Sequence, residues 1–195
     1  MSRETIKKVI NKVNEFHPLE TEFQEVIDEN FDELICPVNS LKDHDQIPKI
    51  YTSYYSNPYL RELSHGEVVK ISISLYPPKG WTEKGGLHYY PLCPTKEIFE
   101  HVKSTGDHKT YVKELLDHLN QFDARFVYDV LMEMSGGKPV ILLCYERPQP
   151  TVGDYIWCHR QIVSQWLGSN LGIVFPELTQ KHVQNLMKSD ETSLF

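Results

Sequence analysis

A short apolar run constrains the fold of this chain more than any other feature. The run Pro139-Val140-Ile141-Leu142-Leu143-Cys144 follows the pair Gly136-Gly137, and polar residues come directly after it. A strand that is apolar at every position, rather than at alternate positions, is typical of a parallel sheet covered on both faces. The run therefore predicts a buried strand inside a layered α/β domain.

The rest of the chain alternates short strands with amphipathic helices, the order that builds an α/β domain. Glycines and prolines in residues 76–94 interrupt this pattern and predict one long loop. We therefore expect an α/β fold with a small, mostly parallel sheet flanked by helices. The other strands are predicted at 50–54, 68–75 and 172–175. The helices are predicted at 95–104, 107–120, 123–134, 158–167 and 179–188, with Gly168 just past the end of the fourth.

Two further amphipathic helices are predicted ahead of this domain. Apolar residues recur at three- and four-residue steps from Ile6 to Phe16, and Thr21 opens a second helix with a capping-box pattern. The apolar faces of these helices are an expected surface for a homo-oligomer. The predicted segments are an N-terminal helical appendage (1–47), an α/β core domain (48–178) and a C-terminal helix and tail (179–195).

The charge and the cysteine pattern exclude several classes of protein. A formal net charge of -7 argues against an extended footprint on duplex nucleic acid, which needs clustered cations, although it allows a local pocket for one nucleotide or phosphate. No apolar run is long enough for a membrane helix, and no apolar stretch follows Met1–Thr5 as a secretory signal requires. The four cysteines form no Cys-x2-Cys pair, so free thiols and a cytoplasmic location are expected.

Two tripeptides hold the residues with the clearest chemical potential. Cys144-Tyr145-Glu146 ends the apolar strand, and Cys158-His159-Arg160 opens the predicted helix at 158–167. In open α/β sheets, ligands bind beyond the carboxyl ends of the strands, where the following helices begin. We therefore expect the two tripeptides to form one site.

Each residue of this site has an expected role. A thiol at a helix start has a lowered pKa, so Cys158 is the better nucleophile, while Cys144 is expected to be a small buried side chain. His159 is expected to transfer protons, and Glu146 to orient His159, to take a proton or to act as the nucleophile itself. Arg160 offers a planar fork to phosphate or carboxylate, so a small anionic ligand is expected. The residues assigned to substrate binding are Arg160, Cys144 and Tyr145.

Two other interpretations of these residues stay open. Cysteine is among the most buried residue types, and a Glu, a His and an Arg often form a structural ion-pair network. Zinc is the second alternative, because Cys144, Glu146, Cys158 and His159 are all zinc-ligand types. Adjacent side chains in a helix diverge, which disfavours Cys158 and His159 on one ion. The sequence therefore assigns no metal and no cofactor.

The order of these motifs resembles the domain-of-unknown-function family 488, over about residues 48–178. The pair Cys-x-Glu and Cys-His-Arg is the most specific part. Thirteen residues separate Cys144 from Cys158 here, a longer loop than we expect of typical members. The resemblance implies a small α/β domain and no particular reaction. It also implies a microbial or phage origin, hence the host cytoplasm if phage-encoded. The matching segments are Ile50–Ser53, Ile71–Ser74, Pro91–Pro94, Tyr111, Leu142–Glu146, Cys158–Arg160 and Trp166-Leu167.

Two functional hypotheses follow from the motifs and the resemblance. The first is an enzyme that acts on a small anionic substrate, such as a nucleotide, a nucleoside or a nucleic-acid component, through the Cys-x-Glu and Cys-His-Arg site. The alternative is a non-catalytic module that binds a nucleotide or a partner protein.

Overall fold

The computed structural model describes residues 49–64, 66–147 and 158–191 of the chain. The two N-terminal helices predicted before residue 48 lie outside the described residues, as does the loop from 148 to 157. The boundary between the appendage and the core domain therefore stays a prediction.

The sheet is small and parallel, and the predicted apolar strand lies inside it. Strand β4, Val140–Cys144, lies between β1, Ile50–Tyr54, and β2, Val69–Ser72, and the order across the sheet is β1-β4-β2-β3. Strand β3 is the short pair Leu87–His88 at the β2 edge. Each strand pairs in parallel with its neighbour, and every residue of β4 is buried. The α/β prediction is confirmed.

Five helices surround this sheet in the described part of the chain. The first three begin at side-chain caps, because Thr95, Asp107 and Asp123 each accept a hydrogen bond from a main-chain N–H of the first helical turn. The bounds of these three helices lie within one residue of the predicted ones. The helices are α1 Lys96–Thr105, α2 His108–Leu119, α3 Ala124–Ser135, α4 His159–Leu171 and α5 Gln180–Glu191.

The two faces of the sheet pack against different layers. On one face, Val140 and Leu142 of β4 belong to the larger apolar cluster, with buried residues of α2, α3 and α4. On the other face, Ile141 and Leu143 pack with the smaller cluster, which includes Val183 of α5. Successive side chains of a strand point to opposite faces, so two covered faces need the unbroken apolar run that β4 has.

Four features of the secondary structure differ from the predicted ones. Strand β2 ends at Ser72 rather than at 75, because its partner β4 ends at Cys144. The predicted loop 76–94 contains β3 and a short 3-10 helix at Tyr90–Leu92. Among the described residues, 172–175 form no strand, and the pairing there is a single parallel bridge between Thr52 and Glu177.

The fourth error concerns Gly168, which does not end its helix. Helix α4 continues through Gly168 to Leu171, and Gly172, with φ of 66°, supplies the left-handed cap. A Cβ atom at position 168 would lie 2.9 Å from the main-chain oxygen of Ile173. Gly168 is therefore a close-packing residue that lets the returning chain contact the helix.

None of the described helices is both long and apolar enough to cross a bilayer.

Replacing Gly168 by alanine tests this packing. Alanine favours a helix by about 1 kcal/mol over glycine, but here its methyl group would collide with a main-chain carbonyl. We expect Gly168→Ala to lower the free energy of unfolding by about 1 to 3 kcal/mol in urea denaturation. The adjacent, exposed Ser169→Ala is the control, with an expected change within about 0.5 kcal/mol. A stabilised Gly168→Ala would show that the contact is absent.

Candidate functional site

The topology brings the two tripeptides to one edge of the sheet. Tyr54 at the end of β1 pairs with Cys144 at the end of β4, and Ser72 at the end of β2 pairs with Leu143. Helix α4 begins beyond these strand ends, with Cys158 as its N-cap. The strand-end and helix-start side chains therefore meet as the sequence analysis expects.

Two thiols and a carboxylate form the centre of this site. The Sγ atoms of Cys144 and Cys158 lie 2.7 Å apart, and both cysteines are free and buried. The Cys158 thiol donates a hydrogen bond to Oε2 of Glu146 at 3.1 Å. Glu146 itself is exposed. The carboxylate is thus the point at which this buried cluster reaches the surface.

Arg160 lies beneath these groups with no exposed surface. Its Nη1 lies 2.6 Å from the main-chain oxygen of Glu146, 2.8 Å from the sulfur of Cys158 and 3.1 Å from that of Cys144. Its Nε donates to Oε2 of Glu177 at 3.0 Å. Burial alone would lower the pKa of Arg160, but the two sulfurs and Glu177 raise it, so the guanidinium stays charged. Nη2 has no hydrogen-bond partner among the described residues.

Glu177 and Thr52 belong to the site although the sequence analysis did not select them. Thr52 Oγ1 donates at 2.9 Å to the Oε2 atom of Glu177 that also accepts from Arg160. Tyr54 lies nearby, with the centre of its ring 5.9 Å from the guanidinium carbon of Arg160. No local pattern marks Glu177, because it pairs with β1 through one isolated bridge. The one available signal is that a buried arginine needs an acidic partner from elsewhere in the chain.

His159 is neutral and is held by the main chain. Its Nε2 lies 2.8 Å from the carbonyl oxygen of Ile73, and a carbonyl only accepts, so we assign the ring proton to Nε2. Burial lowers the pKa of His159 to about 4. A ring in this state does not titrate near neutral pH, and its predicted role in proton transfer was based on such a titration.

The pKa values of the Cys158 thiol and the Glu146 carboxylate are shifted in opposite directions. Burial and the neighbouring Cys144 raise the pKa of Cys158, although Arg160 acts against this. This is the reverse of the direction expected from its place at a helix start. Desolvation opposes ionisation of Glu146, but hydrogen bonds from Cys158 and Cys144 outweigh it and hold the pKa of Glu146 below its usual value. At neutral pH the site therefore presents a protonated thiol and an ionised carboxylate.

Aromatic side chains line the surface beside Glu146. Tyr145 is 53% exposed, and its ring centre lies 4.9 Å from that of Tyr55, which in turn lies 5.2 Å from that of Trp81. The Tyr55 hydroxyl is paired with Ser72 Oγ at 2.6 Å. Tyr111 of α2 is buried, which is the main reason that its pKa is raised, and the charge of Glu146 adds to this rise.

Four residues of the site have donor atoms suited to zinc. Ligand atoms of Cys144, Glu146, Cys158 and His159 all lie within 4.8 Å of one another. At Zn–S distances of about 2.3 Å, tetrahedral geometry puts two sulfurs roughly 3.8 Å apart, well beyond the 2.7 Å between these two. A cation would also meet the Arg160 guanidinium, which already contacts both sulfurs. A zinc ion here would need the two sulfurs to move apart and would lie beside a buried positive charge, and neither condition favours a metal centre.

The neutral state of His159 predicts how stability depends on pH. Its pKa is about 4 when folded and about 6.5 when unfolded, so unfolding takes up a proton between these values. The free energy of unfolding should fall as pH drops through this window, by up to about 1.4 kcal/mol per pH unit from this residue.

Urea denaturation of the wild type and of His159→Gln checks this. Glutamine can keep a donor towards the Ile73 oxygen but does not titrate. The slope of the unfolding free energy against pH, between about pH 6.5 and 4.5, should therefore be smaller in the variant by the equivalent of close to one proton. His88, His118 and His182, whose pKa values burial also lowers, contribute equally to both proteins. Equal slopes would contradict the neutral state assigned to His159.

Comparison with known families identifies the domain that carries this site. A family model described as DUF488-N3a, the active DUF488-N3 subclade, matches residues 50–171. No curated protein and no solved structure matches the chain. The matched segment contains both tripeptides and the four strands of the described residues, which confirms the resemblance drawn from the order of the motifs. The chain belongs to the DUF488 family, in the DUF488-N3a subclade.

Proposed function

We propose that this protein is an enzyme for a small anionic substrate, a nucleotide, and that Glu146 is its reacting group. One observation carries the proposal: of the candidates Cys158, His159 and Glu146, only Glu146 is exposed. The buried Cys158 and Arg160 donate hydrogen bonds to its carboxylate and to its main-chain oxygen. The description of the matching subclade as active agrees with catalysis.

The state of Glu146 suits nucleophilic catalysis. A carboxylate with a lowered pKa is ionised at neutral pH and is a weak base, so bond formation suits it better than proton abstraction. In the proposed step, a Glu146 oxygen gives an electron pair to an electron-poor carbon of the substrate. The bond from that carbon to the leaving group breaks, and its electron pair departs with the leaving group. Water then cleaves the resulting ester: its hydroxyl group stays on the substrate carbon, its proton passes to the departed leaving group, and the carboxylate is restored.

Cys158 and Arg160 orient the carboxylate in this proposal. The thiol donates to one carboxylate oxygen, and the guanidinium holds the main-chain oxygen of the same residue. Cys158 is 3% exposed and its pKa is raised, which makes it a poor nucleophile at neutral pH. We therefore assign the role of nucleophile to the Glu146 carboxylate rather than to the Cys158 thiol.

The proposed substrate class rests on groups around Glu146. Exposed Tyr145 and the neighbouring Tyr55 offer aromatic surface on which a planar base can stack. Arg147 is exposed next to Glu146, so its guanidinium can pair with an anion bound there. The N-terminus of α4 adds main-chain N–H groups that favour an anion. Together these groups support a ligand with a flat ring and a negative charge.

Turnover of a defined panel tests the proposal. The panel is the ribo- and deoxyribonucleosides and their 5′-monophosphates, followed by chromatography with the wild type, Glu146→Gln, Cys158→Ser and Cys158→Ala. We expect Glu146→Gln to lose at least about 100-fold in rate. Cys158→Ser should keep most activity because its hydroxyl still donates to Glu146, whereas Cys158→Ala should lose about 10-fold or more.

The same variants separate the competing interpretations. An inactive Cys158→Ser with an active Glu146→Gln would make the thiol the nucleophile and overturn the assignment to Glu146. Binding of panel members in calorimetry without turnover would favour the non-catalytic module. One zinc ion per chain in native mass spectrometry would replace the hydrogen-bonded cluster by a metal centre. Thermal melts of all variants check that each one is folded.

A further inference from the structure

The orientation of Arg160 depends on one acidic residue. Glu177 forms the only salt bridge that Arg160 makes among the described residues, with 3.0 Å between Nε and Oε2. The guanidinium is planar, so fixing Nε also fixes the direction of Nη1. Nη1 is the atom that contacts both sulfurs and the main-chain oxygen of Glu146. The position of Glu177 is therefore transmitted to all three groups.

Glu177 is itself held by strand β1. Thr52 Oγ1 donates to Oε2 of Glu177, the same atom that accepts from Arg160. The main chain of Thr52 also binds both sides of Glu177, through Thr52 N to Pro176 O at 3.0 Å and Leu178 N to Thr52 O at 2.8 Å. Three hydrogen bonds thus fix the carboxylate and its segment against the sheet.

We infer that Glu177 is a positioning residue of the site, held by Thr52, which acts through Arg160 to keep the two thiols and Glu146 in place. The inference rests on the proposed function, because it concerns the groups that hold the reacting carboxylate. Glu177 lies outside the matched family segment, which ends at residue 171. Glu177 contacts Arg160 rather than Glu146, so in this role it does not itself contact a ligand bound at Glu146.

Thr52→Val tests this inference without changing any charge. Valine keeps the shape of threonine and removes the hydroxyl that fixes Glu177, while the conservative Thr52→Ser keeps that hydroxyl. The readout is the titration of the Glu146 carboxyl carbon by NMR in protein labelled with ¹³C-glutamate, assigned from the spectrum of Glu146→Gln. In Thr52→Val the midpoint should rise by about 0.3 to 1 pH unit, because displaced thiols donate less well to the carboxylate. Thr52→Ser should titrate as the wild type does.

Val130→Ala is the control for a general loss of stability. Val130 is buried in α3 within the larger cluster, and the polar contacts of Glu177 do not involve α3. It should lower the melting temperature without moving the Glu146 midpoint. A Thr52→Val protein with a lower melting temperature and an unchanged midpoint would overturn the positioning role alone. A wild-type midpoint at or above the ordinary value for glutamate, about 4.3, would instead count against the proposed function.

Discussion

The burial of the Arg160 guanidinium is the interaction on which the site depends. A charge removed from water is tolerated only when opposite charge and hydrogen-bond acceptors surround it. Glu177, the main-chain oxygen of Glu146 and the two sulfurs supply that surrounding, and they come from three separate parts of the chain. The end of β4, the start of α4 and the segment after α4 must therefore assemble together.

This requirement divides the site into two layers. The inner layer of Cys144, Cys158, His159 and Arg160 is buried, and its members contact one another, the main chain and the carboxylates of Glu146 and Glu177. The outer layer of Tyr145 and Glu146 is exposed. A buried network in low dielectric holds its geometry strongly when its polar groups are paired. The inner layer can thus serve as a rigid support, while contact with a ligand is left to the outer layer.

The sequence predicts where the site lies better than how it works. The meeting of Cys144 and Cys158 was predictable, because parallel strand ends and helix starts share one edge of the sheet. The neutral state of His159 was not, since it depends on burial and on a carbonyl oxygen 86 positions away. Glu177 was missed because a single bridge leaves no periodic pattern, and Gly168 was misread because its close contact with Ile173 is tertiary.

The contact of Thr52 with the segment after α4 also affects where the folded domain ends along the chain. The matched family segment ends at residue 171, before Glu177 and before the helix α5 whose Val183 covers Ile141 and Leu143. A fragment cut at that boundary would remove the acidic partner of a buried guanidinium and part of the cover on one face of the sheet. The smallest self-sufficient piece of this protein therefore extends through α5, beyond the limits that the family comparison draws.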